Sequence, residues 1–166
     1  MDIILKRSIE WLDRLIAFDT TSRLSNLDLI SDIEKYMNEL GVPTRLTHDK
    51  DKTKANLWCT IGPQDIGGVV LSGHTDVVPI DGQEWTKTPF RMSEESGKLF
   101  GRGTSDMKGF CAIALAMAPE MKSRDLKVPI HFAFSFDEEV GCVGVRHLIK
   151  DVVDNLPLPR AVIVGE

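Results

Sequence analysis

Apolar positions in the first forty residues recur at helical spacing. Over residues 3–18, Leu5, Ile9, Leu12 and Ile16 share one face, which predicts an amphipathic helix. A second helix is predicted over 26–40, with Leu29, Ile30, Ile33, Met37 and Leu40 as its apolar side. Ser25 and Asp28 stand three apart, like a capping box, and Gly41 with Pro43 stops the helix. Beyond that point the apolar runs shorten. Strands are predicted at 44–48, at 56–61 (closed by Gly62-Pro63), at 68–72, at 128–136 and at 161–164. Residues 80–100 read as a long loop with a short strand near Lys98-Leu99-Phe100. Phe110 to Met121, rich in Ala, Leu, Ile and Met, reads as a buried helix, and another helix is expected near 143–151. Helices and strands alternate after residue 56, so the expected class is α/β: a mixed, largely parallel sheet flanked by helices.

Three of the apolar runs end in ionisable residues. The run at 68–71 leads into Gly73-His74-Thr75-Asp76, Val128 to Phe136 leads into Asp137-Glu138-Glu139, and Ala161 to Val164 leads into Gly165-Glu166. A glycine-rich loop, Gly101-Arg102-Gly103-Thr104-Ser105-Asp106, lies between them. Open α/β sheets bind ligands outside the carboxyl ends of their strands. One histidine and several carboxylates at such ends point to a metal site with hydrolytic chemistry.

Composition narrows the setting. With 42% hydrophobic and 27% charged residues, the chain has the balance of a globular domain. No apolar stretch approaches the ~20 residues that span a bilayer, and Lys6, Arg7, Glu10, Asp13 and Arg14 interrupt residues 1–18 as a signal peptide. No membrane partner is expected. The three cysteines form no CxxC pair and are expected to be free thiols in a cytoplasmic protein. A net charge of -5 without a basic run argues against nucleic acid.

Each candidate residue also has a plainer reading. His74 and Asp76 project to the same side of an extended chain, so Asp76 can orient His74 or a neighbouring group, or the two form a buried structural pair. The Asp106 loop enters a helix like a phosphate-binding turn, but it matches neither the Walker pattern nor GxGxxG. Glu138 and Glu139 diverge from a strand end, leaving one free as a base beside a ligand, or both solvated. Glu166 alone says little. His131 is expected to be a satisfied core residue, His147 to lie on a helix surface, His48 in a polar turn, and Cys142 to be a small packing residue.

Taken together, the segments resemble the M20 family of co-catalytic zinc amidohydrolases and peptidases. The matching pieces are Ser72 to Pro79 (SGHTDVVP), Trp85 to Phe90 (WTKTPF), Leu99 to Gly109 (LFGRGTSDMKG), Phe136 to Gly144 (FDEEVGCVG) and Val164-Gly165-Glu166. Within the family, GRGTSDMKGF and SFDEEVGC most resemble its acetylornithine deacetylase branch. Desuccinylases of diaminopimelate synthesis and dipeptidases are the neighbouring alternatives. The resemblance implies that His74 and Glu166 bind one metal, Asp106 bridges two, Glu139 binds the second, Glu138 is the general base and Asp76 supports His74. It implies a cis bond after Asp106, zinc as the metal with cobalt as a substitute, and an N-acyl amino acid such as N-acetylornithine as the small-molecule substrate.

Family members are roughly twice as long. Residues 1–166 are therefore expected to be the N-terminal part of the catalytic domain. The smaller dimerisation domain, which would make the full-length protein a homodimer, lies outside them, as does the last histidine ligand of the second metal. On this basis the 166-residue chain is expected to have little or no activity; a truncation that only binds metal is the alternative from outside the enzymes.

Overall fold

The computed structural model describes residues 2–166. Its helices are α1 (Ile3–Ile16), α2 (Leu27–Glu39), α3 (Lys108–Lys122) and α4 (Val143–Asn155). Its strands are β1 (Thr44–His48), β2 (Ala55–Ile61), β3 (Val69–His74), β4 (Ser93–Glu95), β5 (Lys98–Phe100), β6 (Ile130–Ser135) and β7 (Ala161–Val164). The main sheet has the order β1-β2-β6-β3-β7. β2 runs antiparallel to both neighbours, whereas β3 runs parallel to β6 and to β7. All strands of this sheet but β2 therefore point the same way, the mixed and largely parallel sheet expected. The carboxyl ends of β6, β3 and β7 open at one edge. There His74 pairs with Ser135, and Ser72 with Val164.

Alternating residues build two apolar layers. Leu57, Cys59 and Ile61 of β2 join Phe132 and Phe134 of β6 under α1, α2 and α3. On the other face Trp58, Val70 and Ala133 pack against Leu148 and Val152 of α4. Phe132 and Phe134 are fully buried, each contributing about 1.5–3 kcal/mol of transfer free energy. β7 is an edge strand whose four residues are all exposed, and a groove of about 390 Å³ separates it from α4.

Several elements differ from the sequence expectation. The buried face of α1 is Trp11, Leu12, Leu15 and Ile16, all in its second half, while Leu5 is exposed. Leu12 and Ile16 are buried as expected, while packing of α1 on α3 adds Trp11 and Leu15 and leaves Leu5 out. α2 starts one residue later than expected, with Asn26 as its N-cap. The Asn26 side chain binds Ala55 and Thr75 instead of the helix, and Ser25 accepts from Leu27 N without forming a capping box with Asp28. α3 begins at Lys108, two residues before the predicted start, immediately after the Asp106 loop. The 80–100 segment contains a hairpin, since β4 pairs with β5. β6 starts at Ile130 because Pro129 lacks an N–H for the ladder; its carbonyl still accepts from Val69 N at 3.0 Å.

Candidate metal centre

The sheet edge gathers the ionisable residues. β3 delivers His74, which is 1% exposed. The chain stays extended beyond it, locked to the segment after α1: Val77 N donates to Thr20 O and Ser22 N to Val77 O, both at 3.2 Å. Asn26 and Thr20 hold Thr75 from the same side. His74 Nδ1 donates to the Asp76 carbonyl at 2.9 Å, with an Asp76 carboxylate oxygen at 3.4 Å. That orients the ring and aims Nε2 at the open edge.

Nε2 faces a ring of carboxylates. Asp106 Oδ1 lies 3.0 Å away, Glu138 Oε2 3.8 Å and Glu166 Oε1 3.9 Å. Ligand atoms of His74, Asp106 and Glu139 all lie within 4.8 Å of one another. Glu166 approaches His74 without joining that three-residue group. The Asp106–Met107 peptide bond is cis, as the resemblance implied.

Asp76 has a wider part than a histidine partner. It is 2% exposed, and its carboxylate accepts from Ser22 Oγ at 2.7 Å, Glu138 N at 2.9 Å and Glu139 N at 3.2 Å. Burial acts to raise its pKa, but the hydrogen bonds from His74, Glu138 and Ser22 outweigh that and hold it below the ordinary carboxylate value. Burial likewise disfavours the His74 imidazolium. The hydrogen bonds and charge of Asp76, with Asp106, overcome it and raise His74 to about 9. Desolvation, then the charge of Asp106, raises Glu139; Glu166 is raised in the same way by desolvation and Asp106. Such a cluster repels itself, and a divalent cation relieves the repulsion. One oriented imidazole nitrogen with several carboxylate oxygens suits a borderline cation such as zinc.

Other residues fall as follows. His131 is buried, with Nδ1 2.9 Å from Thr60 Oγ1 and Nε2 accepting from Gly68 N at 3.1 Å, so it is a satisfied core histidine. His147 is exposed and stacks on Phe136, and His48 ends β1 instead of sitting in a turn. Cys142 is not a packing residue. It is exposed, adopts φ 54, and its thiol donates to Glu138 Oε1 at 3.2 Å. Cys59 and Cys111 are buried free thiols, pushed by burial to about 12 and chemically quiet.

Sequence reading missed Ser22, Lys54, Asp137 and Lys108. Lys108 is 1% exposed and donates to the Leu15 and Phe18 carbonyls at the end of α1, both at 2.9 Å, with burial lowering it to about 8. Its place directly after Asp106-Met107 was a usable signal. For Ser22 and Lys54 there was none, because their partners are 54 and 83 residues away.

Comparison with known proteins follows the same lines. The description of peptidase family M20/M25/M40 matches residues 70–166. An acetylornithine deacetylase of Shigella sonnei (strain Ss046) is 36% identical over 143 residues, covering 86% of this chain and 36% of that protein. The chain thus spans about a third of that relative's length. In fold, it resembles human carnosine dipeptidase 1, with a TM-score of 0.76 and 24% identity over 97% of this chain and 39% of that one. It equally resembles an M20 family metallo-carboxypeptidase of Sulfolobus solfataricus, also at 0.76 and 24%, over 99% and 37%. No helix among the described residues is long and apolar enough to cross a membrane.

Proposed function

Because the chain belongs to peptidase family M20/M25/M40, we propose that it is part of a metal-dependent amidohydrolase that cleaves an N-acyl amino acid, with N-acetylornithine as substrate and acetate and ornithine as products. The observation that carries this reading is the meeting of His74 Nε2 with Asp106 and Glu139, with Glu138 alongside. The 36% identity to an acetylornithine deacetylase supports the substrate.

In this reading His74 and Glu166 would hold one cation and Glu139 a second, with Asp106 shared between them; zinc would be the metal and cobalt a substitute. Bound cations of this kind supply carbonyl polarisation and acidify a water. Glu138 is the general base. Its Oε2 faces the cluster while Oε1 takes the Cys142 thiol, so one oxygen is oriented and the other is free to accept the water's proton and pass it to the leaving amine. Asp76 touches no substrate; it positions His74 and the Glu138–Glu139 backbone. Residues 1–166 are part of the catalytic domain of a longer protein, a reading supported by the share of the relatives' length covered; its cytoplasmic location and assembly as a homodimer are proposed from the family resemblance alone.

The test is zinc content and hydrolysis by the 166-residue chain, with Glu138→Ala as control, offering N-acetylornithine, N-succinyl-diaminopimelate and a dipeptide. About one zinc bound without turnover upholds a centre completed by residues outside this stretch. Turnover of N-acetylornithine lost in Glu138→Ala upholds the base and substrate and removes the need for those residues. Preference for another substrate overturns the acetylornithine assignment, and failure to bind zinc overturns the metal centre.

A further inference from the structure

Lys54, just before β2, is the cation behind the metal centre. Its Nζ contacts both carboxylate oxygens of Asp137, at 2.6 and 2.7 Å, and donates to the Ser22 carbonyl at 2.5 Å. Lys54 and Asp137 side chains are each only 15% exposed. Both segments it holds are the ones that reach Asp76. Ser22 Oγ donates to Asp76 Oδ2, and Glu138 N, the residue after Asp137, donates to Asp76 Oδ1. Lys54, Ser22, Asp76, Glu138 and Asp137 thus close a ring of contacts beneath His74.

The ring acts on a backbone that does not hold itself. Asp137 has φ 53, the left-handed region that a non-glycine residue keeps only when its surroundings over-determine it. That single residue turns the chain out of β6 so that the next two N–H groups meet Asp76 and their side chains meet His74. The Asp137 carbonyl is tied by Val143 N at 2.9 Å, at the start of α4. The carboxylate is tied by Lys54 from the opposite side.

We propose that Lys54 is a positioning residue of the metal centre: paired with Asp137 and bound to Ser22, it fixes the turn that aims Glu138 and Glu139 at His74. This deepens the proposed function and rests on it. The ion pair is local to the turn and touches neither a candidate ligand's side chain nor substrate, so its effect is read through how well the ligands converge.

The test uses Co2+ alone as the probe, following its visible absorption and affinity, together with Tm, on the full 166-residue chain. The double variant Lys54→Met/Asp137→Asn removes both charges, and asparagine tolerates the left-handed backbone. Loss of a partner that orients metal ligands costs about 10–100-fold in metal affinity. That loss, with an altered cobalt spectrum and a near-native Tm, is the expected result. Native affinity and spectrum in the double variant overturn the proposal, whatever happens to Tm. If the double variant does not fold, Asp137→Asn alone decides: affinity at least tenfold weaker at unchanged Tm upholds the proposal, and unchanged affinity overturns it. Asp106→Asn, which alters the carboxylate that both cations would share and that lies nearest His74 Nε2, separates the underlying reading. If it binds Co2+ as tightly as the unaltered chain, the metal centre itself fails and the proposal falls with it. If it binds weakly while the double variant binds normally, only the role of Lys54 is lost.

Discussion

Asp76 Oδ1 accepts the backbone N–H of Glu138 at 2.9 Å, joining positions 62 apart in the chain. The second carboxylate oxygen takes Glu139 N and Ser22 Oγ, so one buried side chain satisfies the turn after β6 and the loop after α1 together. Asp76→Ala leaves those donors without a partner. Hydrogen bonds to a charged group are worth about 1.5–3 kcal/mol each in net stability, and the relaxed turn recovers part of the loss through water. The expected cost is about 2–4 kcal/mol. At about 2–4 °C per kcal/mol for a chain of this size, Tm falls by roughly 5–15 °C. Asp76→Asn, which keeps acceptor capacity, falls less. Equal Tm for all three proteins, by calorimetry, would remove Asp76 from this role.

Cation binding and folding are linked. A ligand that binds only the native state adds about 2.7 kcal/mol at a concentration 100 times its Kd, which corresponds here to a Tm rise of about 5–10 °C. Zinc is expected to raise Tm by that amount and a chelator to reverse it. Asp106→Asn removes the carboxylate nearest His74 Nε2 and should abolish most of the rise. A zinc-induced shift of the same size in Asp106→Asn would place the cation elsewhere.

Gly144, in the first turn of α4, leaves no room for a side chain. A Cβ there would lie 2.2 Å from the Phe136 carbonyl oxygen and 2.9 Å from Asn56 Oδ1. The first is backbone at the end of β6 and cannot move without shifting the Glu138–Glu139 turn. Overpacking of this kind costs about 1–3 kcal/mol, so Gly144→Ala should lower Tm by several degrees and weaken metal binding. Val143→Ala, one position earlier and exposed, is the control and should leave both nearly unchanged.

His131 sets a pH dependence independent of the metal centre. Its Nε2 receives the Gly68 N–H, so a proton there would lose that bond, and burial holds its pKa below 6.5. The folded state binds this proton less readily than the unfolded one, so the stabilisation is complete above about pH 7. It is lost as pH falls through the unfolded value of about 6.5 and on through the lower folded one. The contribution of one such group to the slope is at most about 1.4 kcal/mol per pH unit. Denaturant unfolding between pH 5 and 8, with zinc saturating, should show stability falling on acidification, with a shallower fall in His131→Gln. Parallel profiles would mean that His131 is not the group responsible.

Much of this protein was legible in local pattern. The α2 stripe of Leu29, Ile30, Ile33 and Met37 is buried as its spacing predicted, and the expected strands fall within two residues of their observed ends. Positions of His74, Asp106, Glu138, Glu139 and Glu166 at strand ends and a loop followed from where apolar runs stop. The α1 face was half legible: Leu12 and Ile16 are buried as their spacing predicted, but Leu5 is exposed and Trp11 and Leu15 are buried, because α1 packs on α3, about a hundred residues away, and Trp11 meets Tyr36 of α2. The hairpin of β4 and β5 was only half visible, since three-residue strands carry too little alternation to be read.

The sequence by itself determined which residues could do chemistry and that they would sit at the ends of apolar runs, because burial dictates those runs locally. Tertiary structure alone decided that β6 lies between β2 and β3, which brings the Glu138–Glu139 turn to Asp76. It also decided that Ser22, Lys54 and Asp137 close beneath His74. Those contacts join segments tens of residues apart, and a hydrogen bond or ion pair at that separation leaves no periodic mark on either segment. It exists only once the sheet has set the strands side by side.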